Sequence, residues 1–240
     1  TMITGPCINV SAVVVGGMAG AIISARLPDR LRTSMPLIFG AASLCMGIVL
    51  VTSIRQMPVM ILSVLLGTLV GELCYLEKGI SHLGGKARGL VELVVKTDPG
   101  DEASQAKFLQ NYVAIIVLFC ASGTGIFGAM HEGMTGDSSI LIAKAFLDLL
   151  TALIFATTLG YAVALVAVPQ LIIQLALAYG AIYILPLTTP VMQADFSAVG
   201  GILMVATGLR IAGIKVFPVA SMLPSLVIAM PVSCFWTTYF

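Results

Sequence analysis

Eight stretches of almost unbroken apolar sequence, at about 7–25, 35–54, 57–77, 111–130, 139–159, 161–185, 195–213 and 217–239, leave little of the 240-residue chain for anything else. Each is long enough to carry a helix across a hydrocarbon core of about 30 Å at 1.5 Å of rise per residue. No water reaches that core to satisfy exposed backbone groups, so the spans are expected to be helices rather than open strands. The chain therefore reads as an all-α, polytopic helical membrane protein of about eight transmembrane helices, a single integral membrane domain over 1–240. Composition agrees. Charged residues make up 10% of the chain, where soluble domains carry about 25%, and the mean hydropathy is +1.07.

The stretch 139–185 is nearly continuous, and its 47 residues would make one helix of about 70 Å, more than twice the bilayer core. Two spans with a tight turn near 159–161 are predicted instead, with Gly160 and Pro169 as the candidate breaks. Basic residues test the count independently, because short cytoplasmic loops collect Lys and Arg. Arg26, Arg30 and Arg32 follow span 1, and Lys78, Lys86, Arg88, Lys96 and Lys107 follow span 3. Arg210 and Lys215 close span 7, which puts ten of the twelve basic residues in alternate loops. Both termini then lie outside. No Lys or Arg precedes Arg26, so the first apolar segment reads as a retained span rather than a signal peptide. Residues 79–110 form a cytoplasmic loop, in which Ile80, Leu83, Ala87, Leu90, Val91 and Val94 recur at helical spacing and predict an amphipathic helix on the membrane surface. His82 belongs to that face.

Several function classes are excluded. A net charge of +1 gives no strong attraction for nucleic acid, which leaves the lipid bilayer as the partner that composition dictates. Cys7, Cys45, Cys74, Cys120 and Cys234 all lie in apolar segments with no metal-ligand spacing and are expected to be small buried hydrophobes. HExxH, GxSxG and Walker motifs are absent, so no enzyme, metal, cofactor or ATP-driven step is expected.

Small residues four apart mark helix faces that pack closely: Gly16, Gly20 and Ser24, then Ser43 and Gly47, then Gly67 and Gly71. The same faces would allow a homo-oligomer. Ionisable residues inside spans are costlier, about 2.5 to 3.5 kcal/mol for Lys or Asp at a helix centre. Lys144 and Asp148, at i and i+4 of span 5, share a helix face and can neutralise one another. Such a pair serves either structure or a solute or ion pathway. Glu72 lies near the cytoplasmic end of span 3, as an interfacial residue or a cavity floor. Asp195 opens span 7, where a carboxylate suits a helix N-terminus.

The stretch "GTGIFGAMHEGMTGD", 123–137, adds glycines and charge together. Gly123, Gly125 and Gly128 each weaken a helix by roughly 1 kcal/mol relative to Ala, and Ser122 and Thr124 can bond to freed carbonyls, so a break or a tight crossing is predicted there. His131, Glu132 and Asp137 follow in a loop without Lys or Arg, where an acidic vestibule would gather cations. Asp137 or Ser138 is equally suited to cap span 5.

Three two-span units also read alike: "FGAASLCMGIVLVTS" with "ILSVLLGTLVGE", "IIVLFCASGTGIFGAM" with "IAKAFLDLLTAL", and "FSAVGGILMVATGLRIAG" with "VASMLPSLVIAM". They align Ser63, Lys144 and Ser221, then Gly67, Asp148 and Ser225, and the third unit runs inverted. Inverted repeats with interrupted spans are a mark of transporters.

The segments "INVSAVVVGGMAGAIISARLPDRLR", "NYVAIIVLFCASGTGIFGAMHEGMTGD" and "ADFSAVGGILMVATGLRIAGIKVFP" together resemble the bacterial inner-membrane family catalogued as domain of unknown function 554, over essentially the whole chain. The resemblance implies a multi-pass protein of the bacterial inner (plasma) membrane, described at most as a transport protein, and brings no substrate or catalytic residue. The expected function is a small-solute or ion transporter or channel, with a pathway near spans 4, 5 and 7. The alternative is a non-transporting scaffold or regulator whose polar residues are structural.

Overall fold

The computed structural model describes residues 2–23, 26–80 and 123–240, with 82, 83, 86, 116, 119 and 120 between them. Its helices are α1 (Gly5–Ile23), α2 (Asp29–Val51), α3 (Met57–Leu73), α4 (Gly123–Thr135), α5 (Ser139–Leu159), α6 (Ala162–Leu165), α7 (Ala167–Ile184), α8 (Pro190–Ile211), α9 (Val219–Met222) and α10 (Pro224–Tyr239). No strand occurs among the described residues. Among the described residues, six stretches are long and apolar enough to cross a membrane: α1, α2, most of α5, α6 with α7, α8, and α9 with α10. The 17-residue α3 is a shorter apolar helix. Nine residues of the fourth expected span, Ser24 and nearly all of the loop 79–110 lie outside the described residues.

The predicted turn in 139–185 falls at Gly160. There φ is +70°, a conformation that favours glycine and ends helices, and its N–H closes α5 on the carbonyl of Ala156 at 2.8 Å. Pro169 accompanies a smaller interruption: α6 ends at Leu165 and α7 starts at Ala167, with Pro169 in its first turn, where the missing N–H costs nothing.

Helices meet through glycine, as the small-residue spacing predicts. A Cβ on Gly16 or Gly20 would land on the carbonyl oxygen of Leu149 or Leu153, which sets α1 parallel to α5. Gly40 and Gly47 face Gly208 and Gly201, and Gly67 and Gly71 face Ser225 and Ser221, so α2 runs antiparallel to α8 and α3 to α10. Gly133 lies against the carbonyl of Ala178 on α7. Where no hydrophobic effect drives helices together, such backbone contact maximises dispersion. Among the described residues three apolar clusters result, one around Phe127, Phe196, Leu203 and Met204, one around Val13, Ala152, Ala156 and Val163, and a small one of Ala129, Leu141 and Ala178. Outward faces carry exposed residues such as Val15, Ile22, Leu65, Leu69 and Leu73, as suits contact with lipid. Four of the five cysteines belong there too. Cys7, Cys45, Cys74 and Cys234 are exposed, and Cys120 is half-buried, which corrects the expectation of burial; all five are free thiols. Sulfur is apolar enough to face lipid as readily as a core.

Candidate ion or solute site at Lys144 and Asp148

Asp148 lies about 14 Å along α5 from Ser139, near the middle of a 21-residue helix about 31 Å long. Its relative exposure is 8%, and that of Lys144 is 3%. The two side chains form an ion pair through Lys144 Nζ and Asp148 Oδ2. The same oxygen accepts from Asn9 Nδ2 of α1 at 2.8 Å and from Gln170 Nε2 of α7 at 3.1 Å. Asn9 Oδ1 in turn accepts from Gln170 Nε2 at 2.9 Å and Gln174 Nε2 at 2.7 Å. Asn9, Gln170 and Gln174 are all buried. Their signal in the sequence was a lone amide in an otherwise apolar span, with Gln170 and Gln174 one helical turn apart. The sequence reading did not single them out.

Gly125 provides room for this centre. A Cβ there would lie 2.9 Å from Lys144 Cε and 3.4 Å from Gln174 Nε2. Gly123, Gly125 and Gly128 stand within one continuous helix, α4. The glycines therefore act as a tight crossing over the described residues, and the helix is not broken there. Thr124, also buried, lies 3.4 Å from Ser43 Oγ, whose hydroxyl donates to the carbonyl of Met204 at 3.0 Å. A cavity of about 30 Å³ touches the pair, lined by Ser43, Thr124, Leu147, Thr151 and Ile211 together with Lys144 and Asp148. That is room for a water molecule. Its walls extend to Ile211, the last residue of α8, so it lies on the side of the pair away from the chain ends.

The other carboxylates serve helix ends. Glu132 is only 3% exposed, and it accepts from the backbone N–H groups of Thr4 (2.8 Å) and Gly5 (3.0 Å), the start of α1. It is a clamp across two helices and contributes nothing to an open acidic mouth. Asp195 is fully buried inside α8, whose own cap is Thr189. It accepts from the N–H groups of Arg55 (3.1 Å) and Gln56 (2.9 Å), ahead of α3, and from Ser233 Oγ at 2.6 Å. The expectation that it caps its own helix is thus corrected; it caps a neighbour. The motive is the one the sequence suggested, since unpaired N–H groups at a helix start attract a carboxylate. Glu77 does likewise for Ala220 at 3.0 Å while pairing with Arg210 Nη1 at 2.6 Å.

At the turn between α4 and α5, Asp137 is exposed and accepts from Ser139 N and Ser139 Oγ, both at 2.9 Å. The Ser139 N–H holds its carboxyl below the usual carboxylate range. His131 Nε2 stands 3.7 Å from Asp137 Oδ2, and its ring packs on Phe127. Glu72 is exposed near the end of α3, as an interfacial residue would be. Ser122 lies outside the described residues.

A bundle of apolar helices enclosing one mid-helix ion pair defines an α-helical membrane protein with a charged interior. The chain belongs to the family described as "Protein of unknown function (DUF554)", whose sequence pattern matches residues 4–234. It is 61% identical over 239 residues, all of both chains, to "Uncharacterized protein YqgA" of Escherichia coli (strain K12). It is also 26% identical over 236 residues, 93% of each chain, to "Uncharacterized membrane protein YdfK" of Bacillus subtilis (strain 168). No solved structure matches.

Proposed function

We propose that this protein moves a small solute or ion across the bacterial inner membrane, with Lys144 and Asp148 at the centre of its pathway. The observation that carries this reading is a buried ion pair in mid-membrane that touches a cavity. An isolated pair is a poor way to stabilise a bundle, because desolvation offsets most of its attraction. Its retention beside a cavity that Ser43, Thr124 and Thr151 also line suits a site that exchanges partners. The multi-pass orientation draws support from Arg26, Arg30, Lys78, Arg210 and Lys215, which gather at the helix ends opposite the chain termini, the side expected to be cytoplasmic. An inverted repeat draws support from the antiparallel pairing of α2 with α8 and α3 with α10.

The rival scaffold reading rests on Glu132 and Asp195, whose carboxylates tie helices together and nothing more. Flux assays in proteoliposomes across a panel of ions and small solutes separate the two. Transport is expected from the wild type and not from the Lys144→Ala, Asp148→Ala double variant. Fluxes equal to those of empty liposomes, or unchanged in the double variant, refute the transport reading.

A further inference from the structure

The hydrogen-bond directions around Asp148 leave a surplus of acceptors. A carboxylate paired with an ammonium accepts only, so Asn9 and Gln170 must turn their N–H groups toward it. Asn9 then presents its oxygen, and Gln174 must answer with N–H. The charge fixes all three amides. Gln170 Oε1 and Gln174 Oε1 are what remain, buried and with no donor. Asp148 Oδ1 receives none of the three donors that converge on Oδ2. The unpartnered oxygens ask for a donor or a cation, while the Lys144 ammonium gives one N–H to Asp148 and stands 5.7 Å from the centre of the Phe119 ring.

Charge then limits how a cation can enter. The centre is neutral with Lys144 protonated, and a second positive charge would be uncompensated in an apolar surround. A divalent ion facing one carboxylate would be equally unbalanced. From these observations, and resting on the transport reading above, we infer that Asp148 with the amide oxygens of Gln170 and Gln174 is a site for one bare monovalent cation that exchanges with the Lys144 proton. As the ion takes the ammonium's place at the carboxylate, Lys144 becomes neutral and its proton leaves to water through the adjoining cavity. One proton leaves per cation bound, and the net charge of the centre never changes. The cavity of about 30 Å³ beside Lys144 and Asp148, through which an ion reaches the carboxylate, admits an alkali ion or ammonium stripped of water and excludes choline. Among the described residues, the helices around the pair bring Asn9, Ser43, Thr124, Gln170 and Gln174 to it, none of which titrates. The Cys120 thiol is the other titratable group close enough to interact with both charges.

Melting of the purified protein in micelles tests this without any flux, since a ligand that binds the folded state raises its stability. LiCl, NaCl, KCl and NH4Cl are compared with choline chloride at constant ionic strength, at mildly acidic and mildly alkaline pH. At least one small cation is expected to raise the melting temperature where choline does not. Its apparent affinity should tighten about tenfold per pH unit, the signature of one exchanged proton. Gln174→Leu should weaken the effect and Asp148→Asn abolish it. Lys144→Met keeps the site open if those variants do not fold; it should bind the cation more tightly and with no pH dependence. A wild type indifferent to every cation overturns the inference, as does Lys144→Met with unchanged pH dependence. Liposomes that transport an uncharged solute while the melts ignore cations would sink this site and leave the transport reading standing. Cation-dependent melts without flux would do the opposite.

Discussion

The seam between α1 and α5 and the seam between α3 and α10 use the same contact for opposite ends. In each, glycine brings one backbone against another: Gly16 and Gly20 against Leu149 and Leu153, and Gly67 and Gly71 against Ser225 and Ser221. The two-span alignment puts Lys144 and Asp148 of the first seam level with Ser63 and Gly67, and with Ser221 and Ser225, of the second. In the second seam a Cβ at Gly67 has nowhere to go, and the buried hydroxyls of Ser63 and Ser221 lack partners. Nothing larger than a hydroxyl fits. In the first, the glycine contact reaches the Leu149 carbonyl beside Asp148, and from there toward Asn9 long polar side chains occupy the space that backbone contact fills elsewhere. Close contact excludes a ligand, so a site forms where that contact gives way to side chains.

The largest expected effect falls on the charged seam. Asp148→Leu leaves Lys144 buried without its counter-ion, and a loss of about 3–5 kcal/mol is expected on that ground. Replacing both, as Lys144→Met with Asp148→Leu, should range from neutral to about 4 kcal/mol more stable while abolishing flux. Unfolding in SDS titrations reads the first difference and proteoliposomes the second. A double variant as unstable as the single one would show that the centre holds the bundle together, and the contrast between the seams would lose its meaning. On the other seam Gly71→Leu drives a side chain into the Ser221 carbonyl and should cost about 1–3 kcal/mol by overpacking, with no effect on ion dependence. Ser233→Ala comes next. It removes the 2.6 Å donor to Asp195 and should cost about 0.5–1.5 kcal/mol, read as a lower melting temperature.

What was legible in the sequence was whatever periodicity and expense encode. Apolar length gave the all-helical, membrane-like class, the four-residue spacing of Gly16 with Gly20 and Gly67 with Gly71 gave the helix contacts, and the cost of charge singled out Lys144 and Asp148. Gly160 gave the turn. Pairings across more than a hundred residues left no such trace. Glu132 and Asp195 look like loop and cap residues because a carboxylate near a helix end has the same composition whether it serves its own N–H groups or a neighbour's. Asn9, Gln170 and Gln174 are neutral and individually tolerable in a span, so only their convergence on one oxygen makes them conspicuous. The cysteines went the other way: their apolarity was readable, but whether it faced core or lipid depends on helix rotation, which small-residue stripes fix only along their own face.

The smallest expected effect lies at the turn between α4 and α5, where Asp137 stands exposed. Its carboxyl is held below its usual range first by the Ser139 N–H, and further by the Ser139 hydroxyl and by His131. A carboxyl depressed in the folded state contributes stability that is present above its unfolded value and fades as pH falls through the folded one. Solvent screens so exposed a group, and Asp137→Asn should cost no more than about 0.5 kcal/mol at neutral pH. The gap in melting temperature between variant and wild type should close on acidification, when both side chains are neutral. A gap that widened in acid would mean that Asp137 is engaged in its protonated form. This turn would then have a coupling to pH of its own, separate from the Lys144–Asp148 centre.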